Sequence, residues 1–392
     1  MHPLEGITVV SLEQAVAAPF ASRQLADLGA RVIKIERPGS GDFARGYDAT
    51  VLGQSSHFVW LNRSKESLTL DMKHPQAAEV MARLLARADV FIQNLAPGAA
   101  ERLGLGAGRL RERHPRLIVC GISGYGGSGP YAHKKAYDLL VQCESGVVSV
   151  TGTPETPGKA GISIADIAAG VYAYSGILTA LYRRERTGEG ATLDVSMFDA
   201  LGEWMGYPAY FAAYGGSPPP RTGAEHATIF PYGPFTAGDG KAVFFGIQNE
   251  REWERFCREV IERPELAADP RCRGNAARHA HRAELRYELE AAFARFDAAE
   301  LARRLDAADI ANARLNSMQE FWDHPQLAAR GRWRDVDSPA GPLRALLPPA
   351  TLEGCEPRMD PIPAVGEHTR PVLAELGFDE ALVARLAGDG AI

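Results

Sequence analysis

Asp166 is the one charged side chain in the stretch GISIADIAAGVYAY (residues 161–174). A carboxylate in that setting suits two kinds of task. At or near a helix start, Asp caps unpaired amides and meets the positive end of the macrodipole. The same position keeps a carboxylate ionised, and flanking glycine and alanine leave room for a substrate, as a nucleophile requires. Spacing does not choose between them.

A second set of residues stands at the ends of strand-like runs. IERPGSGD (35–42) puts Arg37 and a Pro-Gly turn where open α/β sheets bind ligands. LDMK (70–73) carries Leu70 and Lys73, and QNLAPGAAERLG (93–104) places Asn94 at a strand end and Arg102 further along. The glycine-rich GYGGSGPYAHKKAYD (124–138) brings Lys134, Lys135, Tyr137 and Asp138. A loop or a solvated helix face explains any one of these cations equally well, and the glycine loop is no Walker motif. Taken together, Arg37, Lys73, Asn94 and the lysine pair would line one sheet edge, a pattern that suits a polyanionic ligand.

The elements that must position them alternate. Strand-like ITVVSLE (7–13), RVIKIE (31–36), SLTLDM (67–72), DVFIQN (89–94) and LIVCGIS (117–123) are separated by amphipathic helical segments. That order predicts parallel βαβ units in a doubly wound α/β sheet. The first turn lacks Gly-x-Gly-x-x-Gly, so a nicotinamide or flavin site of the usual kind is not supported. A long helix is predicted from Ile162 to RRERTGEG, with Gly188 as its C-cap, followed by the strand ATLDVSM and a helix near Phe198. We expect a large Rossmann-like domain over 1–215, a Gly/Pro-rich linker at 216–225 and a smaller α+β domain over 226–325. A C-terminal segment, 326–392, then returns to the large domain.

Composition bounds the function classes. The 392 residues exceed the roughly 250–300 at which one core stops growing, and a net charge of -6 offers no basic excess for nucleic acid. Five cysteines, odd in number and never paired as Cys-x-x-Cys, argue against a disulfide framework and a zinc site and for a reducing compartment. No leader pattern is visible at the start, and no apolar run nears the roughly 20 residues of a membrane span. A cytoplasmic protein without nucleic-acid or membrane partners is the expectation, with no metal and no prosthetic group.

Five of these blocks, in order, resemble the family III coenzyme A transferases, the formyl-CoA and carnitine-CoA (CaiB/BaiF-like) group. They are PLEGITVVSLEQAVAAPFASRQLADLGARVIKIERPGSGD, LDMKHP, QNLAPGAAERLG, GYGGSGPYAHKKAYDLLVQCESG and SIADIAAGVYAYSGILTALYRRERTGEGATLDVSM. The resemblance spans about residues 3–200 and continues more weakly to the C-terminal end. It implies a covalent role for Asp166, through aspartyl anhydride and aspartyl-CoA thioester intermediates. It also implies coenzyme A contacts at Val16, Ala17, Arg37, Leu70, Lys73, Asn94, Arg102 and Lys135, with coenzyme A and acyl-CoA as substrates, and an interlocked homodimer. Racemases of the same fold carry a histidine where this chain has Tyr137, which disfavours proton transfer at an α-carbon. GAEHATIFPYGPF (223–235) stands where formyl-CoA transferases have a glycine run, which turns the expectation away from formyl and oxalate substrates and toward dicarboxylic acids such as succinate, mesaconate, itaconate or citramalate. Tyr137, Asp138 and His226 are the candidate contacts to that acid, with a plain loop histidine an equal reading of His226.

Overall fold

Period-two alternation builds the first half of the chain. The computed structural model describes residues 1–392. Six strands form one parallel sheet: β1 (Thr8–Leu12), β2 (Arg31–Glu36), β3 (Lys65–Thr69), β4 (Val90–Gln93), β5 (Ile118–Ser123) and β6 (Thr192–Ser196). Their order is β3-β2-β1-β4-β5-β6, so the winding reverses between β1 and β4, where doubly wound sheets open a ligand crevice. β3 starts and stops earlier than the sequence run 67–72 suggests. Leu70 and Lys73 therefore lie in the turn beyond the strand.

The two faces of the sheet differ in chemistry. Val10, Leu12, Ile33, Ile35, Leu68, Phe91 and Val119 point into one apolar core, which Val372, Leu373, Leu376, Phe378 and Val383 of the returning C-terminal segment complete. The alternate positions of β1–β3 put Ser11, Lys34, Lys65 and Ser67 on the opposite face, and all four are buried. Burying charge there requires partners, and Glu13 supplies them: it receives Lys65 Nζ at 2.7 Å, Ser11 at 2.6 Å and Ser22 at 2.6 Å, with Lys34 Nζ at 3.4 Å. Burial alone would raise the Glu13 carboxyl, but Lys65 and Lys34 hold it down at about 2.

The first helix (Ala17–Asp27) packs most extensively against the long helix (Ile164–Thr187), which ends at Gly188 in the left-handed conformation. Gly170 makes this approach possible, since a Cβ there would lie 2.7 Å from the Ala17 carbonyl oxygen. One expectation is corrected here. The long helix is long and apolar enough, by length and composition, to cross a membrane. Its hydropathy is spread over alanine, glycine and aliphatic residues between Asp166 in its first turn and the charges at 183–186, so no block of large apolar side chains announces it.

The chain divides into two units: residues 1–146, 160–206 and 327–392, and residues 147–159 and 207–326. The stretches 147–159 and 207–215, read from sequence as part of the large domain, group with the second unit. The reason for 147–159 is local: Gly223 N–H donates to Gly152 O, and the Arg221 guanidinium donates to the carbonyls of Ser149, Thr153 and Pro154. Within the second unit, β7 (Tyr232–Thr236), β8 (Ala242–Gly246) and β9 (Asn312–Ala313) form an antiparallel sheet. Its core gathers Phe235, Phe245, Trp253, Phe256 and Phe293. In the first unit a hairpin, β10 (Trp333–Val336) and β11 (Leu343–Leu346), lies in the segment read from sequence only as a returning tail.

Candidate active site

A cavity of about 770 Å³ opens beyond the carboxyl ends of β1–β3. Arg37, Leu70, Lys73 and Arg102 line it. The sequence pattern also put Asn94 and Lys135 at this edge, and the structure treats them differently. Asn94 turns its amide to the backbone of Gln14, accepting from Gln14 N–H at 2.9 Å and donating to Gln14 O at 2.8 Å. Lys135 is exposed and lies outside the cavity lining. Val16 and Ala17 are buried at the start of the first helix rather than presented on the cavity wall.

Four acids also line this cavity, Glu13, Glu36, Asp42 and Asp71; the first three are paired with cations, and Asp71 accepts the Lys73 N–H at 3.0 Å. Glu13 is neutralised by Lys65 and Lys34. Glu36 takes Arg45 in a two-pronged pair, at 2.9 and 2.8 Å, and accepts from Ser67. Asp42 accepts from Lys34 at 2.7 Å. Arg37, Lys73 and Arg102, by contrast, have side chains in no ion pair, which leaves their charges for a ligand. Charge-bearing strand residues such as Lys34 in RVIKIE were the sequence signal for this buried layer, and it passed unread.

Asp166 sits in the first turn of the long helix, half-buried, and its carboxylate makes no hydrogen bond. It is not the cap. That role falls to Asp138, whose Oδ1 accepts from Ala165 N–H at 2.8 Å and from Asp166 N–H at 3.4 Å, while Oδ2 accepts from Gln142 at 2.6 Å. Asp138, also a candidate contact to the acid, thus caps the long helix. Burial, and then the charge of Asp138, push the Asp166 carboxyl up to about 7. Burial thus works against the ionised carboxylate that the helix start was expected to favour.

Tyr137 precedes the helix Asp138–Glu144 in extended conformation and is 72% exposed. Tyr47, which the sequence reading did not single out, lies within electrostatic range of the same group. Burial and the carboxylates of Asp42 and Asp166 raise its hydroxyl. In the second unit, His226 accepts Thr228 N–H at 3.2 Å and Ile229 N–H at 3.1 Å on Nδ1 and stacks on Tyr232. With Nδ1 accepting both N–H groups, Nε2 is the ring's donor nitrogen.

Comparison with known proteins adds to this geometry. The family model for CoA-transferase family III matches residues 4–369. The succinyl-CoA:glutarate CoA-transferase of Mus musculus is 32% identical over 397 residues, covering 100% of this chain and 91% of its own length. The acetyl-CoA:oxalate CoA-transferase of Acetobacter aceti is 38% identical over 330 residues, 84% of each chain. Among solved structures, a CaiB/BaiF family protein from Brucella suis superposes with a TM-score of 0.83 at 32% identity, over 96% of this chain and 99% of that one.

Proposed function

The chain belongs to CoA-transferase family III, and on that premise we propose that it moves coenzyme A from an acyl-CoA donor to a free dicarboxylic acid through covalent intermediates on Asp166. The observation that carries the reading is the Asp166 carboxylate itself: unpaired and accessible in the first turn of a helix whose amides are capped by another residue.

The Asp166 carboxylate attacks the thioester carbonyl of the donor, the C–S bond breaks, and an aspartyl-acyl anhydride and coenzyme A thiolate result. The thiolate attacks the aspartyl carbonyl, expelling the donor as its free acid and leaving an aspartyl-CoA thioester. The acceptor carboxylate attacks that thioester to form a second anhydride, and the returning thiolate takes the acceptor acyl group, freeing Asp166. Arg37, Lys73 and Arg102 bind the phosphates of coenzyme A, since paired inner charges leave those three free for charge-assisted hydrogen bonds.

The acceptor reading rests on the relatives, whose names specify glutarate and oxalate. Glutarate was not among the acids that the sequence suggested, and oxalate was disfavoured by the missing glycine run; both join succinate, mesaconate, itaconate and citramalate as acceptors. His226, whose Nδ1 is occupied by two backbone N–H groups, is the proposed donor, through Nε2, to an acceptor carboxylate. Free thiols at all five cysteines support a reducing, cytoplasmic setting. Exposed Tyr207, Tyr210 and Tyr214, on a helix with no buried residue, and exposed Tyr172 and Tyr182 on the long helix support a homodimer that covers them.

The test is a transfer assay with succinyl-CoA and this acceptor panel, wild type against Asp166→Asn. New acyl-CoA formed by wild type and abolished in the variant is the expected result. Solvent deuterium entering the α-carbon of a 2-methylacyl-CoA without any acceptor would instead mark a racemase.

A further inference from the structure

We propose that Asp42 is a positioning residue for the thioester substrate, clamping the Gln14–Ala15 turn that forms part of the cavity wall. The proposal rests on reading the cavity as the coenzyme A site. Ala15 has φ +62, a left-handed conformation that a residue with a Cβ adopts only where its surroundings enforce it. Three hydrogen bonds enforce it here. The Asn94 amide holds both polar backbone atoms of Gln14, and Asp42 Oδ1 accepts Ala15 N–H at 3.1 Å.

Asp42 is itself immobilised. Its Oδ1 also takes Ala44 N–H at 2.9 Å, its Oδ2 takes Lys34 Nζ at 2.7 Å, and its own N–H donates to Glu36 Oε1 at 2.8 Å. The Asp42 and Lys34 side chains are both 0% exposed. A carboxylate beside a site for a polyanion repels the ligand unless its charge is cancelled, and Lys34 cancels it. Asp42 thereby offers an acceptor to Ala15 without leaving an unbalanced negative charge on the wall.

The clamp reaches the catalytic helix through packing. The first helix begins directly after the turn, and its Ala17 carbonyl abuts Gly170, one turn beyond Asp166 on the long helix. A shift of the turn therefore moves both the cavity wall and the contact that sets the two helices.

Binding of coenzyme A by calorimetry, with steady-state kinetics and thermal melts as the folding control, tests this on Asp42→Ala, Asp42→Asn, Ala15→Gly, Ala15→Val and the Asp42→Ala/Ala15→Gly pair. Asp42→Ala should bind coenzyme A about tenfold or more weakly and raise the acyl-CoA KM in step, with the acceptor KM within about twofold. Asp42→Asn keeps the Oδ1 acceptor for Ala15 but turns an NH2 toward Lys34, so it should bind more tightly than Asp42→Ala and more weakly than wild type. Ala15→Gly should restore binding in the Asp42→Ala background, because glycine takes positive φ unaided. Folded Asp42→Ala with wild-type affinity, or no restoration by Ala15→Gly, overturns the proposal. Should Asp42→Ala not fold, Ala15→Val must weaken binding while Ala15→Gly does not, and any other result overturns it. Arg37→Ala and Lys73→Ala separate the two readings: if they too leave affinity unchanged, the cavity assignment has failed, and if they alone weaken binding, the clamp has.

Discussion

At Asp166 the proposed nucleophile's charge is a compromise between burial, a neighbouring carboxylate and access. Its carboxyl, held up at about 7 by burial and Asp138, must be ionised to attack a thioester. The kcat/KM for acyl-CoA should therefore rise with pH and level off above about 8, falling about tenfold per unit well below 7. Asp138→Asn keeps an oxygen for the Ala165 amide and removes the neighbouring charge, so it should shift that limb toward lower pH; an unmoved limb would assign it to another group. The same shift has a stability sign. The folded protein holds the Asp166 proton more tightly than the unfolded chain, so ionisation destabilises it increasingly from about pH 4 to about 7. Asp166→Asn should thus melt higher than wild type at pH 8, with the gap closing toward pH 4. The candidate nucleophile was legible as a lone acid among small residues. Its raised pKa was not, because burial is a tertiary outcome and Asp138 stands 28 residues earlier in the chain, brought to the helix start only by folding.

The strands and helices divide along a similar line. Alternating β-rich runs and helices announced the parallel sheet, and Gly188 announced the end of the long helix. Strand order is a tertiary outcome, and so is the charged layer of Glu13, Lys34 and Lys65: the three stand on or just after separate strands and gain meaning only beside one another. The hairpin at 333–346 was missed because its strands are short and half-exposed, with little alternation to read. Packing between the first helix and the long helix makes a direct prediction. Gly170→Val drives a side chain into Ala17 O and Phe20, which should cost about 1–3 kcal/mol by overpacking and lower the melting temperature. Gly202→Ala, with open space at its Cβ position, is the control and should leave the melt near wild type.

For the whole molecule, the two units and the exposed aromatic residues bear on assembly. A homodimer should show twice the 42.3 kDa chain mass by light scattering, and Tyr210→Asp with Tyr214→Asp should release single chains if those rings are covered by a second copy. The division at 147–159 and 207 was hidden in sequence, because residues 147–159 join the second unit through bonds to 221–223, far along the chain. Covalent chemistry on one carboxylate remains the central claim, and trapping it is the most direct measurement. Wild type and Asp166→Asn are incubated with succinyl-CoA, quenched with hydroxylamine, digested and examined by mass spectrometry. A hydroxamate on the peptide holding Asp166, dependent on acyl-CoA and absent from the variant, is the predicted result; transfer activity with no modification of that peptide would contradict it.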